Sequence, residues 1–143
     1  MLKVLLLLAL AASSAPVLAD VKAVMAEPDL EKRSQLAIQH AMKELDSART
    51  AYSEDKMDDF KRLVTEIGDL AEISYKSLQD TGKKARRSPK WFKRAELSMR
   101  TLLRHIDGLE KDVSIEDREL VDATQKRVES VHQQLLHDIM TKK

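Results

Sequence analysis

The chain of 143 residues contains no cysteine, and its 25 Lys and Arg nearly balance its 24 Asp and Glu. Without cysteine it has neither a disulfide framework nor thiol chemistry, and with a net charge of only +1 it lacks the overall basic character of nucleic-acid-binding domains. Any electrostatic recognition must therefore come from the distribution of charge along the chain rather than from its total.

The first nineteen residues have the pattern of a secretory signal peptide. Lys3 provides a positively charged start, nine apolar residues follow from Val4 to Ala12, and small residues precede Asp20, where signal peptidase would cut. The apolar run is too short for a membrane span, which needs about 20 residues. We therefore expect cleavage after Ala19 and release of a secreted protein, with a bacterial periplasm as its expected location.

The remaining chain is expected to form one all-α domain. After a loose lead-in at residues 20–28, apolar residues recur at steps of three and four, which is the pattern of helices with one buried face. The predicted helices span about residues 29–53, 57–81, 89–112 and 115–140. Because helices of similar length with short connections pack against their neighbours in sequence, residues 29–143 are predicted to form an antiparallel, up-down-up-down four-helix bundle.

Turn residues and charge pairs agree with these helix bounds. Gly82 stands where a left-handed residue would end the second predicted helix, and Pro89 occupies the first position of the third. Six acids also stand four residues before a base, an order that stabilises a helix. These pairs are Asp29/Arg33, Asp58/Arg62, Glu72/Lys76, Glu96/Arg100, Asp107/Lys111 and Asp122/Lys126.

Residues 83–94 concentrate seven basic side chains and the only tryptophan of the chain. The other three predicted helices begin with acids, which suit the positive end of a helix dipole, whereas the third begins with bases. A helix N-terminus surrounded by cations is a suitable place for an anion. We call the six residues at this position the basic corner and predict that they bind an anionic group: Arg86, Arg87, Lys90, Trp91, Lys93 and Arg94.

Two explanations of the basic corner remain open from the sequence. In the predicted bundle this corner lies at the same end as the start of the first helix, so Glu27, Asp29 and Glu31 could neutralise it internally. Alternatively, the anion belongs to a partner such as an anionic envelope component or an acidic protein surface. The loops at the opposite end are rich in acids, so the bundle is expected to be an electric dipole that steers charged partners.

The sequence shows no nucleophile motif, glycine-rich loop or converging acid pair, so we expect a non-catalytic binding or structural module without a cofactor or bound metal. A periplasmic cofactor-carrying bundle is the alternative. Met25 and His137 could ligate a haem b at one end, whereas a di-iron site would need two Glu-x-x-His pairs and the chain has only Glu129–His132. A coloured or metal-bearing preparation would favour this alternative.

Overall fold

The computed structural model describes residues 16–141, with side chains from Asp20 onward, so residues 1–15 of the predicted signal peptide lie outside it. Within this range the chain is all-α and contains no strand, which confirms the predicted class. The helices are α1 (Pro16–Ala26), α2 (Leu30–Ser53), α3 (Met57–Asp80), α4 (Pro89–Asp112) and α5 (Arg118–Met140), with a 3-10 turn at Ile115–Asp117. None of the helices described is long and apolar enough to cross a bilayer.

One aliphatic core joins α2, α3, α4 and α5. The largest fully buried side chains include Phe60, Leu45, Ile67, Met99 and Leu102, which come from three of these helices. Helix α2 packs along α3, α4 packs along α5, and α5 also packs against α3. Since tertiary packing of an apolar face supplies most of the stability of helices in proteins, burial of these faces holds the helices in place.

Residues distant in sequence tie the ends of the helices together. The Tyr52 hydroxyl, at the end of α2, donates to Asp117 Oδ2 at 3.0 Å and accepts from the Ser114 amide at 2.8 Å. The Tyr52 ring lies 5.0 Å from that of Phe60 in the first turn of α3. At the other end, Lys83 follows α3 and pairs with Glu31 in the first turn of α2.

The N-terminal part of the domain differs from the loose lead-in expected over residues 20–28. Helix α1 extends to Ala26 and packs against both α2 and α3. Val24 is fully buried there and Val21 is partly buried against the core. Because so short a helix has little stability of its own, its order depends on burying Val24.

Gly68 provides room for an arginine to lie against α3. The Arg127 guanidinium of α5 donates to the Thr65 carbonyl at 3.1 Å, to Asp69 Oδ1 at 2.6 Å and to both carboxylate oxygens of Glu72 at 2.9 Å. A Cβ at position 68 would lie 2.5 Å from Arg127 Nη1, so an alanine there would displace the guanidinium. The glycine therefore allows α5 to attach to α3 through a polar cluster at its surface.

Gly68→Ala is expected to lower the free energy of unfolding by about 1 kcal/mol, even though alanine favours helix by about 1 kcal/mol over glycine. The loss of hydrogen bonds from a charged donor outweighs the gain in helix propensity. In an Arg127→Ala background the same change should instead stabilise the protein by about 1 kcal/mol. Urea unfolding of the four proteins measures both effects, and an equal effect in the two backgrounds would contradict this account.

Candidate functional site

The loop between α3 and α4 has a fixed conformation that positions the basic corner. Helix α3 ends at Asp80, and Gly82 just beyond it has a positive φ of 70°, the left-handed conformation predicted from its position. The amides of Arg87 and Ser88 both donate to the Lys84 carbonyl, at 3.0 and 2.9 Å, and close a turn. Ala85 points into the core and is only 4% exposed. The buried Ala85 thus anchors the loop while its basic neighbours face solvent.

The structure brings all five predicted cations of the basic corner to the surface around the start of α4. Arg86 and Arg87 lie in the loop, and Lys90, Lys93 and Arg94 lie in the first turns of α4, where every one of them is exposed. Lys84 is exposed beside them. No acidic residue lies in the first turn of α4, and the side chain of Ser88, its N-cap, makes no capping hydrogen bond. The positive end of this helix therefore adds to the charge of the side chains.

Trp91 joins the cations to a groove between α2 and α4. Its ring is partly buried, with Arg94 Cζ 4.9 Å and Lys90 Nζ 5.3 Å from the ring centroid, within the range of cation–π attraction. The groove beside the ring has a volume of about 220 Å³, and its lining mixes apolar residues such as Ile38 and Met42 with polar ones such as Gln35. An anion bound at Arg94 would thus lie next to an aromatic and partly apolar surface.

Internal neutralisation accounts for only a small part of the basic segment. Of the three acids considered for this role, Glu31 pairs with Lys83 at 2.5 Å, and Lys83 lies just before the basic corner. Asp29 instead accepts from the amides of Glu31 and Lys32 and caps α2. Glu27 accepts from the amide of Asp29. Within residues 16–141, Lys83 is the only one of the seven basic residues of the segment that pairs with a carboxylate.

The residues considered as cofactor ligands have other surroundings. Met25 is 48% exposed and His137 is exposed. His132 lies 3.0 Å from Glu96, a buried carboxylate that also accepts from Arg100 at 2.5 Å, rather than beside a second Glu-x-x-His pair. In the part of the chain that the structure describes, no group of three or more His, Asp or Glu side chains is arranged so that it could hold a metal ion.

A second polar cluster lies at the contact of α1 with α2 and α3, and the sequence interpretation missed it. Glu44 and Glu66 are only 1% and 5% exposed, and Glu44 Oε1, Glu44 Oε2 and Glu66 Oε1 have no hydrogen-bond partner among the described residues. Asp20 of α1 adds a third carboxylate close to both of them. His40 Nδ1 lies 3.2 Å from Asp20 Oδ1, but without hydrogen-bond geometry.

The contact between Glu44 and Glu66 affects the pKa values of these two carboxyl groups. Burial, and then the adjacent Glu66 carboxyl, raise the pKa of Glu44 to about 10, and burial also raises the pKa of Glu66. The contact is favourable only when Glu44 holds a proton that it can donate to Glu66. One sequence signal could have found Glu44, because it stands three residues after Ala41 and four before Ala48, on the buried stripe of α2.

The sequence and fold were compared with known proteins. No family model matches the chain, and neither the curated proteins nor the solved structures contain a match.

Proposed function

We propose that this is an exported, non-catalytic helical-bundle protein that binds a clustered anionic surface through the basic corner. The observation that carries the proposal is the concentration of exposed cations around the start of α4, none of which pairs with a carboxylate among residues 16–141. These like charges repel one another and also lie at the positive end of a helix dipole, and a bound anion would offset both effects.

The chemistry of the basic corner favours phosphate or sulfate groups that several cations can contact together. Arg86, Arg87 and Arg94 can each donate two parallel hydrogen bonds to such a group, whereas a lysine acts mainly as a point charge. Trp91 provides an amphipathic ring of the kind found at lipid interfaces. Anionic lipid headgroups and sulfated or phosphorylated glycans share this chemistry, and direct binding measurements distinguish them.

The proposed bundle has up-down-up-down topology over α2 to α5, and the contacts at its two ends support this arrangement. Tyr52, Phe60 and Asp117 meet at one end, and Lys83 meets Glu31 at the other. Export rests on the signal-peptide pattern before Asp20. A periplasmic location would place the basic corner among anionic envelope components.

Charge reversal at Arg86 and Arg87 tests the proposal. The exported protein should bind vesicles of phosphatidylglycerol and phosphatidylcholine at low salt, and binding should weaken steeply between about 50 and 300 mM salt because exposed charges are screened. The Arg86→Glu/Arg87→Glu variant should bind at least about 30-fold more weakly, since it removes two cations that each contribute about 1 kcal/mol near an anionic membrane and adds two repelled anions. Sedimentation with vesicles measures the effect, and a heparin column in parallel tests a glycan ligand.

A matched control separates the basic corner from net charge. Lys61 and Arg104 are exposed cations without ion-pair partners among the described residues, and Lys61 lies in the first turns of α3, at the end opposite Gly82. Lys61→Glu/Arg104→Glu changes the net charge by the same amount and should bind nearly as the unmodified protein does. Equal weakening by both variants, or no binding to either ligand at low salt, would refute the proposed site.

A further inference from the structure

The buried carboxyl cluster of Asp20, Glu44 and Glu66 is the least satisfied polar feature that the structure describes. Burying a carboxylate without a donor is costly, and here three buried carboxylate oxygens lack one. Solvent does little to relieve this at Glu44, because the residue is only 1% exposed. A proton shared between the acids would partly relieve this cost, and a cationic group that donates several hydrogen bonds would relieve it more fully.

Asp20 can contribute its main-chain nitrogen to this cluster as well as its carboxyl group. The carboxyl of Asp20 lies close enough to Glu44 to affect its ionisation. Because side chains on a helix lean towards its N-terminus, the Asp20 side chain leans towards the end of α1 at which its main-chain nitrogen would lie in a chain that begins at this residue. Cleavage after Ala19 would turn that nitrogen from a peptide amide into an ammonium group, which has three donors and a positive charge.

We propose that Glu44 and Glu66, with Asp20, form the binding site for the chain's own α-amino group, which is created when the chain is cleaved between Ala19 and Asp20. The three donors of an ammonium match the three buried oxygens without partners. This inference rests on the proposed export and processing but not on the basic corner. Processing would then complete the fold, since α1 attaches to α2 and α3 more firmly once its first residue carries the counter-charge.

The titratable groups around the cluster determine the pH range over which the α-amino group pairs with the carboxylates. The charged and titratable side chains nearest to the cluster are Asp20 from α1, His40 and Glu44 from α2, and Glu66 and Asp69 from α3. The surface pocket beside Asp20 and Glu44 is also lined by these charged residues: Lys43, Asp46, Glu54, Lys56, Asp59 and Arg62. The attachment needs ionised carboxyls and a protonated amine. It is therefore strongest between the ordinary carboxyl range, near about pH 4, and the range of a free α-amine, about pH 8 or somewhat above.

The test uses the full chain exported with its own leader and a second chain with one glycine inserted between Ala19 and Asp20. Mass measurement of each secreted protein establishes its first residue. The inserted glycine moves the ammonium away from the carboxyls, so its protein should melt about 5 °C or more below the unmodified one at pH 7. The difference should disappear near pH 3 and near pH 11, where one of the partners is uncharged.

Glu44→Gln separates this pairing from a general effect of the insertion on α1. In the protein that begins at Asp20, the change should lower the melting temperature at pH 7, because the ammonium loses a charged partner. In the glycine-inserted protein the same change should raise the melting temperature, because it removes a buried carboxyl group that has no cation to pair with. The same sign in both proteins, or equal melting temperatures without the mutation, would overturn the inference. A first residue other than Asp20 would overturn it together with the proposed cleavage, and leave the vesicle-binding test of the basic corner unaffected.

Discussion

Replacing Phe60 with alanine should lower the free energy of unfolding by about 3–5 kcal/mol, the usual cost of truncating a fully buried aromatic residue. Phe60 is 0% exposed and lies in the first turn of α3, where α2 ends and α5 begins. Its ring packs against Tyr52, whose hydroxyl holds the turn before α5. The truncation should therefore leave a cavity and also loosen the contact between two distant segments. Urea denaturation followed by circular dichroism measures the loss.

Tyr52→Phe provides the comparison for this prediction. It retains the aromatic contact with Phe60 and removes only the hydroxyl that bonds Asp117 and Ser114. We expect a cost of about 1–2 kcal/mol, because the bonds are lost but their partners can reach water. If Phe60→Ala cost no more than Tyr52→Phe, Phe60 would not be the packing anchor that its burial indicates.

The helix bounds could be predicted from sequence because local physics determines them. Gly82 adopts the left-handed conformation that ends α3, and Pro89 begins α4, as their intrinsic conformational preferences require. The last predicted helix is divided, since a 3-10 turn at Ile115–Asp117 precedes α5. Distinctions of this kind depend on a few hydrogen bonds at the helix end and not on the apolar pattern.

Ion pairs were less predictable, because a charged side chain can reach partners on other helices. Three of the predicted pairs form, namely Glu96/Arg100, Asp107/Lys111 and Asp122/Lys126. Glu72 instead binds Arg127 of α5, and Lys76 then pairs with Asp80. Spacing along one helix cannot reveal such competition, since a partner that approaches from a neighbouring helix has no fixed distance in sequence.

Some features of the candidate site could likewise be predicted from sequence position, whereas others depend on contacts between distant segments. Its exposed cations follow from their sequence positions, and so does the partial burial of Trp91 beside the core residue Phe92. The sequence left open whether the acids near the start of α2 neutralise the basic segment. The pairing of Lys83 with Glu31 depends on the relative positions of α2 and the loop, which the sequence pattern does not give. The sequence pattern did not predict helix α1 or the carboxyl cluster. Both depend on the packing of α1 against α2 and α3, which buries Val24 and Glu44.

The carboxyl cluster leads to a large expected pH dependence in any form of the protein whose main chain continues through Asp20, such as the glycine-inserted one. The folded state raises the pKa of Glu44 and Glu66 above the unfolded value of 4.5. Below that value both states hold their protons, and the protein has its full stability. As the pH rises, the unfolded chain ionises first, so the free energy of unfolding falls by up to about 1.4 kcal/mol per pH unit for each proton that the folded state retains.

We expect this form to lose about 3 kcal/mol of stability or more between pH 5 and pH 9, as urea unfolding at several pH values would show. Glu44→Gln retains the shape of the side chain but does not titrate, and it should remove most of the decrease. Glu129→Gln, on the exposed surface of α5, changes the charge equally and should leave the decrease as it was. Hydrophobic packing does not depend on pH in this range. If the free energy of unfolding of the glycine-inserted protein without a side-chain mutation did not change with pH, the buried acids would have to be hydrated or already paired with a cation.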